Sequence, residues 1–166
     1  ATVGLALKDK DDNIRGMALR IARQHKLDLI PLIKQLAGDK SALVRRECLI
    51  AIRHNESKES PALWAKLANA HDGNDRWYLE ALGLAADKQE NKFFDEWMKT
   101  AKLDTAGARD VVWRNRGTHG AKYIADIILD KKTPEAEKPR YIRALDFIPK
   151  GKERDDALAR IALGAL

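Results

Sequence analysis

The sequence predicts an all-α chain, a right-handed α-α superhelix of about five stacked helix pairs, and three observations lead there. The first is self-similarity: Asp9 to Arg23 lies over Asp39 to Arg53 at an offset of 30, with Ile14-Arg15 on Val44-Arg45, Ala18-Leu19 on Cys48-Leu49 and Arg23 on Arg53. The second is the spacing of apolar residues at i, i+3, i+4 and i+7, which lays one stripe along a helix, twice in each repeat. The third is composition. Charged residues make up 34% and aromatics 6%, five prolines and ten glycines leave long stretches open to helix, and no segment alternates long enough for a sheet. Hydrophobic residues at 45% of 166 suffice for a continuous core.

Val3 to Leu7 reads as the end of a helix whose start is missing, so the single domain over 1–166 is expected to be a piece of a longer protein. A helix follows at 12–25. The run Asp9-Lys10-Asp11-Asp12-Asn13 ahead of it starts like a calcium loop, but Ile14 stands where that loop needs Gly and Arg20 where it needs Glu. It reads as a helix N-terminus, its carboxylates accepting from open amides and facing the positive end of the dipole. Helix pairs are expected at 27–37 with 41–54, 58–70 with 74–87, 90–102 with 105–115 and 118–131 with 134–148, then a last helix at 152–165. Gly38-Asp39, Asp72-Gly73-Asn74-Asp75, Thr105 to Gly107, Gly117, Thr133-Pro134 and Pro149-Lys150-Gly151 punctuate them. First helices also repeat: Ile33, Leu36 and Ala37 fall on Trp64, Leu67 and Ala68. Tyr78 to Leu82 falls on Tyr141 to Leu145 at an offset of 63, about two repeats on.

The pattern Asp-x-x-x-x-[Ile/Val]-Arg before an Ala/Cys-Leu step, at Asp9 to Arg15 and Asp39 to Arg45, resembles the inter-helix turn and second helix of HEAT repeats. The resemblance implies a HEAT/armadillo-like solenoid; it is good over the first three units, degenerate at 105–116 and partial beyond. Asp75-Arg76-Trp77-Tyr78-Leu79-Glu80-Ala81-Leu82-Gly83, with Val112-Trp113-Arg114, resembles the HEAT segment of large bacterial multidomain proteins. In those, a propeller of the sugar-dehydrogenase type precedes the helices and a c-type haem domain follows. That resemblance implies a periplasmic or secreted setting. The haem-attachment motif Cys-x-x-Cys-His is absent from this sequence, so neither haem nor redox activity carries over to it.

The residues offer little for catalysis. Cys48 falls on the apolar Ala18 position and reads as a buried small hydrophobe, and no Gly-x-Ser-x-Gly elbow or Gly-rich phosphate loop occurs. His25, His54, His71 and His119 lack the i, i+4 spacing of a helical metal site, so no metal or cofactor is expected. The longest apolar runs fall far short of a membrane span, and no membrane partner is expected. Asp39 and Arg45 read as structural, the Asp capping the second helix and the Arg reaching an acid of the neighbouring unit. Trp64, Trp97 and Trp77 read as core, Trp77 because it aligns with Ile14 and Val44.

What remains is arginine. Twelve of the 14 fall in second helices or at their ends, the layer that lines the concave side of a HEAT stack. With Trp113 among them, Arg46, Arg76, Arg109, Arg114 and Arg116 are the candidate partner-binding residues. The reading is a non-catalytic interaction or spacer module for a protein or for neighbouring domains of the same chain. The alternative is nucleic-acid binding through a basic face, for which a net charge of +6 gives room. Its catalytic extreme, by resemblance to HEAT-like DNA glycosylases of alkylated bases, places Asp110 beside Trp113 as the acid.

Overall fold

The computed structural model describes residues 2–164, and every regular element among them is helical. α1 (Thr2–Ala6) and α2 (Asp12–Gln24) are followed by α3 (Ile30–Leu36), α4 (Ala42–Ile52), α5 (Ser60–Ala68), α6 (Arg76–Ala85) and α7 (Glu90–Met98). Then come α8 (Ala106–Arg114), α9 (Ala121–Leu129), α10 (Lys138–Ala144) and α11 (Lys152–Gly164), with 3-10 turns at Thr118–Gly120 before α9 and Leu145–Phe147 after α10. Each expected segment contains a helix. The observed ones are shorter because their ends close into turns; the segment expected from 134 starts its helix only at Lys138. The last residue expected in the final helix, 165, lies outside the described residues.

The turns repeat one device. Asp9, Asp39 and Asp72 each accept, through Oδ1, the backbone N–H two residues on, at Asp11, Ser41 and Asn74, with distances of 2.8–2.9 Å. A short acidic side chain that folds the backbone in this way breaks one helix and aims the next. Asp11 caps α2 in the same manner through the amide of Asn13, as the reading of that run as a helix start requires. Asp39 does not cap α4; Ser41 stands at that position, and the Asp39 carboxylate takes the Ser41 N–H and the Arg15 guanidinium together.

Packing follows chain order. α2, α4, α6, α8 and α10 lie one against the next, and α3, α5 and α7 follow in parallel sequence on the other side, continued by the turn 118–120, α9 and α11. One apolar cluster runs from Leu7 to Ala157 between them. Aromatic side chains tie it together while satisfying their polar atoms. Trp64 Nε1 donates to the Leu82 carbonyl at 3.0 Å, Tyr78 Oη to the Leu67 carbonyl at 2.9 Å and Trp97 Nε1 to Asn69 Oδ1 at 2.8 Å. Trp64 and Trp97 are core, as expected, and Cys48 is fully enclosed, its thiol pushed up to about 12 by burial. None of the described helices is long and apolar enough to cross a membrane.

Trp77 is a correction: it is 73% exposed. Helix phase is set by the cap, not by an averaged offset. Ser41 stands at the N-cap position of α4 and Asp75 at that of α6, so the third residue after each is Val44 and Tyr78, exposed by 0% and 1%. Trp77 is one position short of that and faces outward. Ile14, third after the cap of α2, is 42% exposed; among the described residues α4 is the one helix of that row packed on α2.

The turn arginines also separate. Arg15 donates through Nη1 to the carbonyls of Asp9 and Lys10 and, bidentately, through Nε and Nη2 to Asp39 at 2.7 and 2.8 Å. Arg45 repeats the inner half, reaching the carbonyls of Asp39 and Lys40. Where Arg15 meets a carboxylate, however, Arg45 lies over the ring of Tyr78, 5.4 Å from its centroid. The ladder therefore has one acidic rung and then an aromatic one.

Candidate interaction site

The pocket of interest lies where α6, α8 and α10 meet. It has a volume of about 630 Å³. α8 supplies Trp113 and Arg114, with Arg116 just past its end; α6 supplies Arg76 and Glu80; α10 and the turn after it supply Arg140, Arg143, Ala144 and Phe147. Close backbone approach sets this up. Gly107 at the start of α8 sits against the α5–α6 turn so tightly that a Cβ there would stand 2.1 Å from the His71 carbonyl oxygen. Gly83 on α6 leaves the lane in which the Arg114 guanidinium lies; a Cβ would come within 2.2 Å of its Cζ.

Trp113 is the hub. Its Nε1 donates to the Arg140 carbonyl at 3.2 Å, and the guanidiniums of Arg140, Arg76 and Arg116 stand 4.4, 5.3 and 5.7 Å from its ring centroid. Cation–π contact of this kind holds a guanidinium by its face and leaves its N–H edge available. Glu80 bridges Arg76 at 2.5 Å and Arg114 at 3.0 Å. Asp110 takes Arg140 on Oδ1 at 2.5 Å and His71 on Oδ2 at 3.4 Å. Burial pushes the Asp110 carboxyl up, and the bonds from His71 and Arg140 more than reverse that, so it stays ionised.

Arg116 has no carboxylate partner among the described residues. Its Nη1 donates to the carbonyls of Trp113 and Asn115 at 2.9 and 3.0 Å, and its guanidinium lies 4.8 Å from the Phe147 ring centroid. Burial, together with the positive charge of Arg114, lowers its pKa from the usual arginine value. Arg143 is exposed and makes no ion pair among the described residues.

Of the candidates read from sequence, the structure brings Arg76, Trp113, Arg114 and Arg116 together. Arg109 lies a turn earlier on α8 and Arg46 is on α4; neither lines the pocket. Sequence reasoning missed Glu80, Arg140, Arg143 and Phe147 as members. A signal existed: the offset of 63 that matches Tyr78 to Tyr141 also sets Glu80 on Arg143 and the exposed Leu84 on the exposed Phe147. The offset sets α10 on α6, and the two helices flank α8.

Comparison of the chain with protein-family models, with curated proteins and with solved structures gives no match.

Proposed function

We propose that the chain is a non-catalytic binding module, about five HEAT-type helix pairs in a right-handed superhelix, which holds a protein partner or a neighbouring domain along its even-numbered helices. The observation that carries it is the pocket between α6, α8 and α10, where five guanidiniums line the wall, three of them over the Trp113 ring, and one lining carboxylate, Glu80, faces them. Aromatic side chains and arginines in a shared, partly desolvated pocket are the composition of binding hot spots. Selection of a displayed random-peptide library against the chain, with hydrogen–deuterium exchange on the enriched peptides, tests it. Protection centred on α6, α8 and α10 is the expected result. Enrichment of nothing, protection confined to other helices, or turnover of a hydrolase and transferase substrate panel above background overturns it.

The second reading, nucleic-acid binding, draws support from the same arginines. It requires DNA affinity that falls steeply with salt and is lost when Arg114 and Arg116 become Glu. Its glycosylase extreme needs Asp110 open toward a substrate, and both oxygens of that carboxylate are engaged, by Arg140 and His71.

A further inference from the structure

We propose that the pocket between α6, α8 and α10 is a receptor for an acidic peptide segment that carries an apolar side chain between its carboxylates. This rests on the binding-module reading and names its ligand.

Charge is the first support. Arg76, Arg114, Arg116, Arg140 and Arg143 line the pocket, and among the described residues only Glu80 and Asp110 are paired to any of them. Five cations against two carboxylates leave an excess of three positive charges in one concavity. The excess is concentrated on Arg116 and Arg143. Arg116 is fixed between two carbonyls and two aromatic rings, so an arriving carboxylate orders little that is not already ordered. Such preorganisation converts contact into affinity.

The floor is the second. Phe147 is apolar, 55% exposed and met by one guanidinium only, that of Arg116. A ligand of carboxylates alone would leave this surface wet. A leucine-sized side chain flanked by acids covers the floor while its neighbours reach the guanidinium rim.

The third support sets a peptide apart from a nucleic-acid strand. The ring of Trp113 is already engaged by three guanidiniums, which takes the platform a base would stack on. The positive surface is also interrupted by ion pairs, although Arg23 and Arg46 make none among the described residues. Along the row toward α2, Arg53 is paired with Asp87, Arg20 with Glu47 and Arg15 with Asp39. A strand tracks successive phosphates and needs a continuous run of cations; a short acidic peptide needs one pocket.

The test is fluorescence anisotropy on the whole chain with a labelled peptide Asp-Glu-Leu-Glu-Asp. The comparison probes are its amide counterpart Asn-Gln-Leu-Gln-Asn, a version with Ser for Leu, and an oligothymidylate. The amide peptide is expected to bind at least about tenfold more weakly, and the Ser version about tenfold more weakly. Arg143→Glu, at an exposed position with no partner to lose, keeps the wild-type urea midpoint and weakens the acidic peptide about tenfold. Arg46→Glu on α4 leaves its affinity unchanged. Equal binding of the amide peptide, indifference to Arg143→Glu, or tighter binding of the oligothymidylate at the same site overturns the assignment. If library-selected peptides still protect α6, α8 and α10 while the acidic probe fails, the ligand chemistry is wrong and the module reading stands; if both fail, both fall.

Discussion

Between α2 and α4, Arg15 is sunk into an inter-helix turn, and its guanidinium is consumed by two carbonyls and both oxygens of Asp39; the two side chains are each 8% exposed. Between α6, α8 and α10, the arginines lie on top of the helices. Some share a carboxylate, and Arg116 and Arg143 have none among the described residues. The same residue type in the same row of helices therefore serves two physical ends. Where an acid of the next unit closes the fork, arginine is a cross-link. Where an aromatic ring stands in place of that acid, the guanidinium is held by its face instead. The exchange begins at Tyr78, which meets Arg45 where Asp39 meets Arg15.

The comparison is most exposed at its acidic rung. Asp39→Ala leaves Arg15 enclosed without its charge partner and is expected to cost about 3 kcal/mol in urea unfolding. A loss under about 1 kcal/mol would mean that the turn carbonyls alone satisfy Arg15 and that the two halves do not differ in kind. The pH dependence sharpens the same point. The hydrogen bonds from Arg15 hold the Asp39 carboxyl below the ordinary carboxylate value. Its contribution is then complete above the unfolded value of about 4 and is lost as pH falls through the lower folded one. The stability gap between wild type and Asp39→Ala should be widest near neutrality and close in acid. Parallel urea series across that range check it.

At the aromatic rung the expected effect is smaller. Tyr78→Phe keeps the ring under Arg45 and removes only the hydroxyl that donates to the Leu67 carbonyl, leaving that acceptor buried. A loss of about 1 kcal/mol is expected by thermal or urea unfolding. Were the change neutral, the hydroxyl would not help seat α6 against α5.

The fold was legible because its signals are local. Asp9 and Asp39 turn the chain wherever they stand, and the apolar stripes of α2, α4 and α6 follow from spacing alone. Trp77 shows where that legibility ends. An offset averaged over the repeat is blind to one additional turn residue ahead of Asp75, and one residue rotates a helix by about 100°. Trp77→Ser should thus move stability by no more than about 0.5 kcal/mol, a test of the outward phase by urea midpoint. The pocket was half legible. Arg114, Arg116 and Trp113 are neighbours in sequence, and Arg76 shares the second-helix skew. Arg140, Arg143 and Phe147 join them only because α10 packs on α8; the offset of 63 relates α10 to α6 but does not set either against α8.

Glu80 gives the finest discrimination between the halves. In the cross-linked half, removing an acid destabilises; in the pocket half, the acid is only a partial plug. Glu80 stands partly exposed between Arg76 and Arg114, an arrangement in which solvent and the neighbouring guanidiniums absorb most of the pairing energy. Glu80→Gln is therefore expected to shift the urea midpoint by the equivalent of about 0.5 kcal/mol or less. Because it removes a negative charge from the pocket mouth, it should also raise the affinity for the acidic peptide about threefold, with an effect that shrinks as salt is added. A stabilising role for Glu80 comparable to that of Asp39, with no gain in binding, would make the two ends of the row alike, and arginine would be a cross-link in both.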